Sequence, residues 1–206
     1  MKSSYPAFQI HQASRFAALI TTVTFAIVIA AAIGLGALLN MFVFQSFYVD
    51  GESMSPTLHT RDRLVISKVE RSLARLQNRP YIPERGQIII INGAASPTTV
   101  SRASELIKRV VATPGDTVVI ERGAVTITTP SGETLDIDVS LGLDLDDTYT
   151  DQPLRVTVPD GAVFVLGDNR NRGGSTDSRT FGVVRSEHID GRLWLRIMPF
   201  ANWRVF

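Results

Sequence analysis

The sequence contains no cysteine. Disulfides, thiolate nucleophiles and cysteine-based zinc sites are therefore excluded, and the compartment is left open. Histidine is scarce: His11, His59 and His188 lie far apart and form no metal-ligand spacing. No charged residue occurs from Phe16 to Val49. No acidic residue occurs anywhere before Asp50; of the 21 basic residues only Lys2 and Arg15 precede it, whereas all 20 acidic residues lie from there on. The long remainder is thus close to neutral, without the basic footprint of a nucleic-acid binder. With 44% apolar and 20% charged residues among 206, the composition is that of a folded chain rather than a disordered one.

What the first segment does have is a long apolar run, Phe16–Phe44. A membrane-spanning helix needs about 20 such residues, and we place a single span near Ala18–Phe42, after a tail over residues 1–17. A cleaved secretory signal is the competing reading, with small residues at Ala30–Ala32, but its apolar core is usually only about 7–15 residues long. Lys2 and Arg15 precede the run while Asp50 and Glu52 follow it. The positive-inside tendency then puts the N-terminus in the cytoplasm and the rest outside.

Beyond the run the pattern changes to short Val- and Ile-rich segments: Arg63–Val69, Gln87–Asn92, Thr117–Glu121, Ala124–Thr128, Leu154–Val158 and Ala162–Leu166. Pro-Gly, Arg-Gly, Ser-Gly and Asp-Gly pairs punctuate them, as turns between strands do. Only Val69–Gln77 has a helical rhythm. The expectation is a mainly β domain over residues 43–206. A smaller β excursion is expected over 116–160, with the acidic stretch Asp136–Asp151 as an exposed part of it.

Three segments carry chemistry. The first is Gly51-Glu52-Ser53-Met54-Ser55-Pro56-Thr57-Leu58. Gly51 has access to backbone angles closed to other residues, and Pro56 fixes its own φ. Such a loop presents a serine hydroxyl and a backbone N–H together, which an oxyanion hole requires. The second is Ser104–Asp116, where Lys108 stands between apolar neighbours and Arg109. Desolvation there disfavours the ammonium, so the neutral amine becomes available as a base. The third runs from Gly167-Asp168-Asn169-Arg170 to Ser175-Thr176-Asp177-Ser178-Arg179. Its spacing allows an Asp177–Arg179 pair, or a bridge from an Asp to Arg109. Each segment alone also reads as an ordinary polar loop or sheet edge.

In this order, and directly after an apolar span, the three segments resemble those of bacterial type I signal peptidases. The likeness runs from about Phe42 to Pro199 and includes Gly191–Arg196, which is similar to that family's last strand. The resemblance implies an antiparallel β catalytic domain behind one N-terminal transmembrane helix in the bacterial plasma membrane. It implies Ser53 as nucleophile and Lys108 as general base, with Ser175 hydrogen-bonding the lysine amine. It also implies structural support from Arg109, Asp168, Asp177 and Arg179. Phe47, Val49, Met54, Leu58, Ile90 and Ile107 would line shallow pockets for small side chains before the cut, although they also read as ordinary core. The partners implied are signal peptides of exported proteins and the lipid bilayer, with no nucleic acid, metal or cofactor.

Departures accompany the likeness. Longer members can have a serine where Gly51 stands, Arg61-Asp62 replaces the usual Gly-Asp, and Arg85-Gly86-Gln87 lacks the acid that often follows the glycine. The stretch Asn171–Gly174 is about two residues longer than usual, which blurs the placement of Ser175. The tail Trp194–Phe206, rich in aromatics, reads as a strand with a packed end, or as a contact with the membrane interface. Two rivals stand beside the family reading. A self-cleaving Ser–Lys protease of the SOS-repressor type has the same chemistry, but would not need the span and usually carries a DNA-binding segment. An inactive tethered β module would not need both Ser53 and Lys108.

Overall fold

The computed structural model describes residues 7–92 and 105–206, and within the first helix the side chains of 17–38. Two compact units result, Met1–Phe42 and Val43–Phe206. The first is helix α1 (Ala7–Phe42), which starts well before the expected span. Its stretch Ala17–Leu38, 22 residues of mean hydropathy 2.4, is long and apolar enough to cross a membrane. At 1.5 Å per residue that stretch is about 33 Å long, close to the hydrocarbon thickness of a bilayer. Large side chains such as Phe25 and Ile33 are exposed along it. The expected tail over 1–17 lies partly outside the described residues, and from Ala7 onward it is helical.

The second unit is mainly antiparallel β, as expected. Its strands are β1 (Phe44–Tyr48), β2 (Arg63–Ser67), β3 (Ile88–Asn92), β4 (Glu105–Ala112), β5 (Thr117–Glu121), β6 (Ala124–Thr128) and β7 (Thr134–Asp136). After these come β8 (Leu154–Thr157), β9 (Ala162–Leu166), β10 (Val184–Arg185), β11 (Ile189–Met198) and β12 (Arg204–Val205). A large sheet has the order β1-β2-β11-β3-β4-β9-β10, with β12 folded back on β11. A four-stranded sheet, β7-β6-β5-β8, forms the excursion. Helix α2 (Val69–Leu76) covers the large sheet through buried Ala74. Two one-turn helices complete the unit, α3 (Ile137–Ser140) and α4 (Ser178–Phe181).

The strand patterns follow from what each face meets. Ile88–Ile91 and Ala162–Leu166 are continuous apolar runs because both faces are covered. Val163 and Val165 pack with Ile89 and Ile91 in one cluster, whereas Ala162, Phe164 and Leu166 pack with Val118, Ile120, Val125 and Ile127 in another. That second cluster joins the small sheet to the large one. A third cluster gathers Val49, Met54, Leu58, Leu64, Ile88 and Leu193. It pins both ends of the serine segment, as Met54 and Leu58 are 1% and 0% exposed.

The stretch Asp136–Asp151 is exposed or half-exposed over most of its length, as expected, but it is anchored at a few points. Ile137 and Thr148 are buried, and Asp138 reaches the buried Arg170. Acidic composition concealed this because only one face of the stretch is wet. In the tail, β11 is the core strand, β12 pairs with it, and Phe206 packs on the third cluster, while residues 199–205 stay exposed. Trp194, Phe200 and Trp203 remain exposed at 38%, 76% and 67%.

Candidate active site

Strands β1 and β2 form a hairpin whose wide loop, Asp50–Asp62, carries Ser53. Backbone bonds close its base, Val49 N–H to Asp62 O and Arg61 N–H to Val49 O, both 3.0 Å. Gly51 has φ +106°, a conformation that favours glycine, and its N–H bonds to Thr60 Oγ1. The Glu52 carboxylate ties Thr60 from the other side at 2.8 Å. The loop is therefore cross-braced on both sides of its tip. Among the described residues the Ser53 N–H meets no acceptor, while its carbonyl accepts the Asn169 N–H at 3.1 Å.

Lys108 lies on β4, paired with Ile89 on β3, and is only 2% exposed. Its Nζ is 2.8 Å from Ser53 Oγ and donates to the Ile107 carbonyl, also at 2.8 Å. Burial lowers its pKa from the ordinary 10.5 to about 8, and the nearby carboxylates Asp177 and Asp168 only partly oppose this. The spacing of 55 residues between the two is thus closed to hydrogen-bond contact by the fold. A neutral amine in this position accepts the serine proton, and the ammonium then formed has a proton to return.

The third segment supports them from below. Its charges enter three separate ion pairs, Asp168 with Arg109, Arg170 with Asp138 and Asp177 with Arg179. Arg109 forks onto Asp168, with Nε at 2.8 Å from Oδ1, and also reaches Gly86 O and Thr57 Oγ1. Asp177 pairs with Arg179 at 2.7 Å and caps α4. Asp177 also accepts the Gly167 N–H at 2.9 Å. From the other side, the Arg170 Nε donates to the Gly167 carbonyl at 2.9 Å. Gly167 is thereby held at both its polar atoms, and a Cβ there would overlap Ser175 Oγ and the Ser53 carbonyl oxygen.

Ser175 lies beside Gly167, and its hydroxyl bonds to nothing. Its Oγ is buried and without a hydrogen-bond partner, and the expected bond to the Lys108 amine is not made. The lysine has used its contacts on Ser53 and the Ile107 carbonyl instead. Of the expected pocket residues, Phe47 and Ile107 are half-buried against the third cluster. Val49, Met54, Leu58 and Ile90 are closed to solvent at 6% or less and form the wall behind them.

Three contributors escaped the sequence reading. Arg170, 0% exposed, forks onto Asp138 and bonds Thr148, tying the excursion to the site. Asn169 braces the serine loop through its side chain to Glu52 O at 3.1 Å. Gly174 leaves the space Asn169 occupies, since a Cβ there would overlap its amide. All stand inside the Gly167–Arg179 block, but their partners lie too far away in sequence for spacing to reveal.

Residues 19–198 match the family described as "Signal peptidase, peptidase S26". The chain belongs to this family. By that membership it is a serine peptidase, a hydrolase. Signal peptidase I S of Bacillus subtilis is 32% identical over 186 residues, covering 87% of this chain and 89% of that protein. Signal peptidase I of Bacillus amyloliquefaciens is 31% identical over 176 residues, 84% of this chain and 86% of that one. A Synechocystis sp. protein named "Probable signal peptidase I-2" is 34% identical over 166 residues, 78% of this chain and 66% of its own length.

Proposed function

We propose that the chain is a membrane-anchored signal peptidase I that cuts signal peptides from exported proteins with a Ser53–Lys108 dyad. The observation that carries the reading is the 2.8 Å contact between Ser53 Oγ and a buried lysine amine whose pKa falls to about 8. A lysine that is neutral near physiological pH serves as a base without histidine. His59 is exposed on the loop six residues beyond Ser53, and His188 bonds to Asn92 and faces Glu187, remote in sequence from the dyad.

In the reaction, Lys108 Nζ takes the proton from Ser53 Oγ as Oγ attacks the carbonyl of a small residue. The Ser53 N–H, free of any other acceptor, donates to the oxyanion. The Lys108 ammonium then gives its proton to the leaving amine, and the C–N bond breaks. Water, losing its proton to the neutral amine, hydrolyses the ester and frees Ser53. The apolar wall sets the recognition: Phe47 and Ile107 offer shallow apolar contact suited to Ala-x-Ala, and volume or unpaired charge there is rejected.

The span Ala17–Leu38 anchors the enzyme, with the N-terminus in the cytoplasm and Val43–Phe206 outside. Incubating the detergent-solubilised chain with a preprotein tests the function. Wild type is expected to release the mature protein and Ser53→Ala to release none; equal processing by both overturns the assignment. Protease added outside spheroplasts tests the topology, which fails if the domain after Asp50 stays protected.

A further inference from the structure

A polar cleft of about 610 Å³ opens beside Ser175. Its volume falls within the range of about 300–1,000 Å³ usual for ligand clefts. Ser175 is part of its wall, and Ser175 Oγ and the Ser53 carbonyl oxygen both crowd the same face of Gly167. The cleft is therefore one residue removed from the nucleophile. None of the apolar wall, Phe47, Val49, Met54, Leu58, Ile90 and Ile107, contributes to it. Its remaining lining includes Tyr149, Thr150, Asp151, Arg172 and Thr176.

We propose that this cleft receives the first residues of the mature chain, and that Arg172 there favours an acidic side chain. The inference rests on the peptidase reading above. A peptide across Ser53 has two halves of different chemistry. The signal half ends in small apolar residues, matched by the apolar wall, whereas the mature half begins an ordinary polar sequence and needs a polar path away from Ser53. The cleft is a polar surface that begins at Ser175, one residue from the nucleophile.

The charges in it are unevenly occupied. Arg179 is spent on Asp177, and Asp151 accepts the Tyr149 hydroxyl at 2.7 Å. Arg172 lies over the Tyr149 ring, 5.3 Å from its centroid, and no carboxylate among the described residues pairs with it. The ring fixes the guanidinium at the mouth while leaving its forked donors open, and such a fork matches a carboxylate. Asp151 sets a limit, since a basic side chain would find it only behind the tyrosine hydroxyl.

The test uses the full chain and peptides with an Ala-x-Ala signal half. Positions one to four of the mature half carry Glu or Lys, one at a time, against a neutral reference. Selectivity is read as the ratio of kcat/KM values. An exposed pair supplies about 0.2–1 kcal/mol, so wild type is expected to favour Glu over Lys by about 1.4- to fivefold at one of these positions. The preference should shrink in high salt. Arg172→Glu should invert it, and Arg75→Glu, the same charge change on exposed α2, should leave it alone. Equal selectivity in wild type and Arg172→Glu, or an equal shift with Arg75→Glu, overturns the inference while the function stands. Failure to cut the neutral reference overturns the peptidase reading, and the subsite with it.

Discussion

Gly167 sits so close to Ser53 that no side chain fits between them: a Cβ would overlap the Ser53 carbonyl oxygen and Ser175 Oγ. Space is the constraint here, since Gly167 does not lie in the left-handed region of φ. Gly167→Ala is expected to push the serine loop off its bond to the Asn169 N–H and to misplace Oγ from Lys108. A shift of about 1 Å costs about a hundredfold in rate, and overpacking costs about 1–3 kcal/mol of stability. Removing the Ser175 side chain as well, in Gly167→Ala/Ser175→Gly, relieves only the side-chain overlap, since both Oγ and Cβ of Ser175 crowd that position. Full recovery of kcat in the double variant would contradict the role given to the Ser53 carbonyl.

The depressed pKa of Lys108 sets the pH dependence. With the neutral amine as the proposed base, kcat/KM should rise about tenfold per pH unit below about 8 and level off above it. Lys108→Arg should be inactive, since a guanidinium does not deprotonate. The variant with both His59 and His188 changed to Ala should keep the wild-type profile. Stability follows the same group. The folded pKa of about 8 lies below the ordinary 10.5, so the fold holds fewer protons between these values and gains stability as pH rises through them. Below pH 8 the buried ammonium costs about 3 kcal/mol. The Tm of wild type should therefore rise relative to Lys108→Met between pH 8 and 10.5, and a constant difference would contradict a titrating Lys108.

Much of this was legible in the chain itself, and the reason is local. Thr117–Glu121, Ala124–Thr128 and Ala162–Leu166 are strands with the expected bounds, because turn residues close them at each end. Ser53 and Lys108 were legible only through the order of the three segments behind an apolar span, since each segment alone also reads as an ordinary polar loop or sheet edge. Gly167, Arg170 and Asp138 were not, because their roles exist only across the fold. Nothing near Asp138 in sequence signals a fully buried arginine 32 residues away. The Ser175 hydroxyl shows the same limit: the longer stretch before it blurred its placement, and its lack of a partner was not legible at all.

Arg61 stands where the resemblance puts glycine, and it adopts φ +78°. For a residue with a Cβ that conformation costs about 1–2 kcal/mol, partly offset by the smaller entropy of its unfolded chain compared with glycine. Arg61→Gly is expected to raise stability by about 0.5–1 kcal/mol in urea unfolding. Arg61→Ala, which keeps the Cβ, should bring no such gain. The same gain from both would locate the effect in the arginine side chain instead of the backbone.

The ion pair between Arg170 and Asp138 couples the small sheet's connection to the catalytic block, and its asymmetry makes a sharp prediction. Arg170 is wholly buried, whereas the Asp138 side chain is 18% exposed. Arg170 also donates to Thr148 Oγ1 and, through Nε, to the Gly167 carbonyl. Removing the acid in Asp138→Ala leaves a buried guanidinium without its countercharge, a loss of about 3–5 kcal/mol for a closed pair and less here for the partial exposure. Replacing both partners by apolar residues, Arg170→Met/Asp138→Leu, leaves no orphaned charge. The double variant should therefore unfold at higher urea than Asp138→Ala, and a double-mutant cycle should give a coupling of about 0.5–3 kcal/mol. Activity should separate the two roles of Arg170. The double variant loses the bond to the Gly167 carbonyl, so its kcat should fall although its stability recovers. If stability and kcat recover together, Arg170 acts only as a structural tie and does not position Gly167 against Ser53.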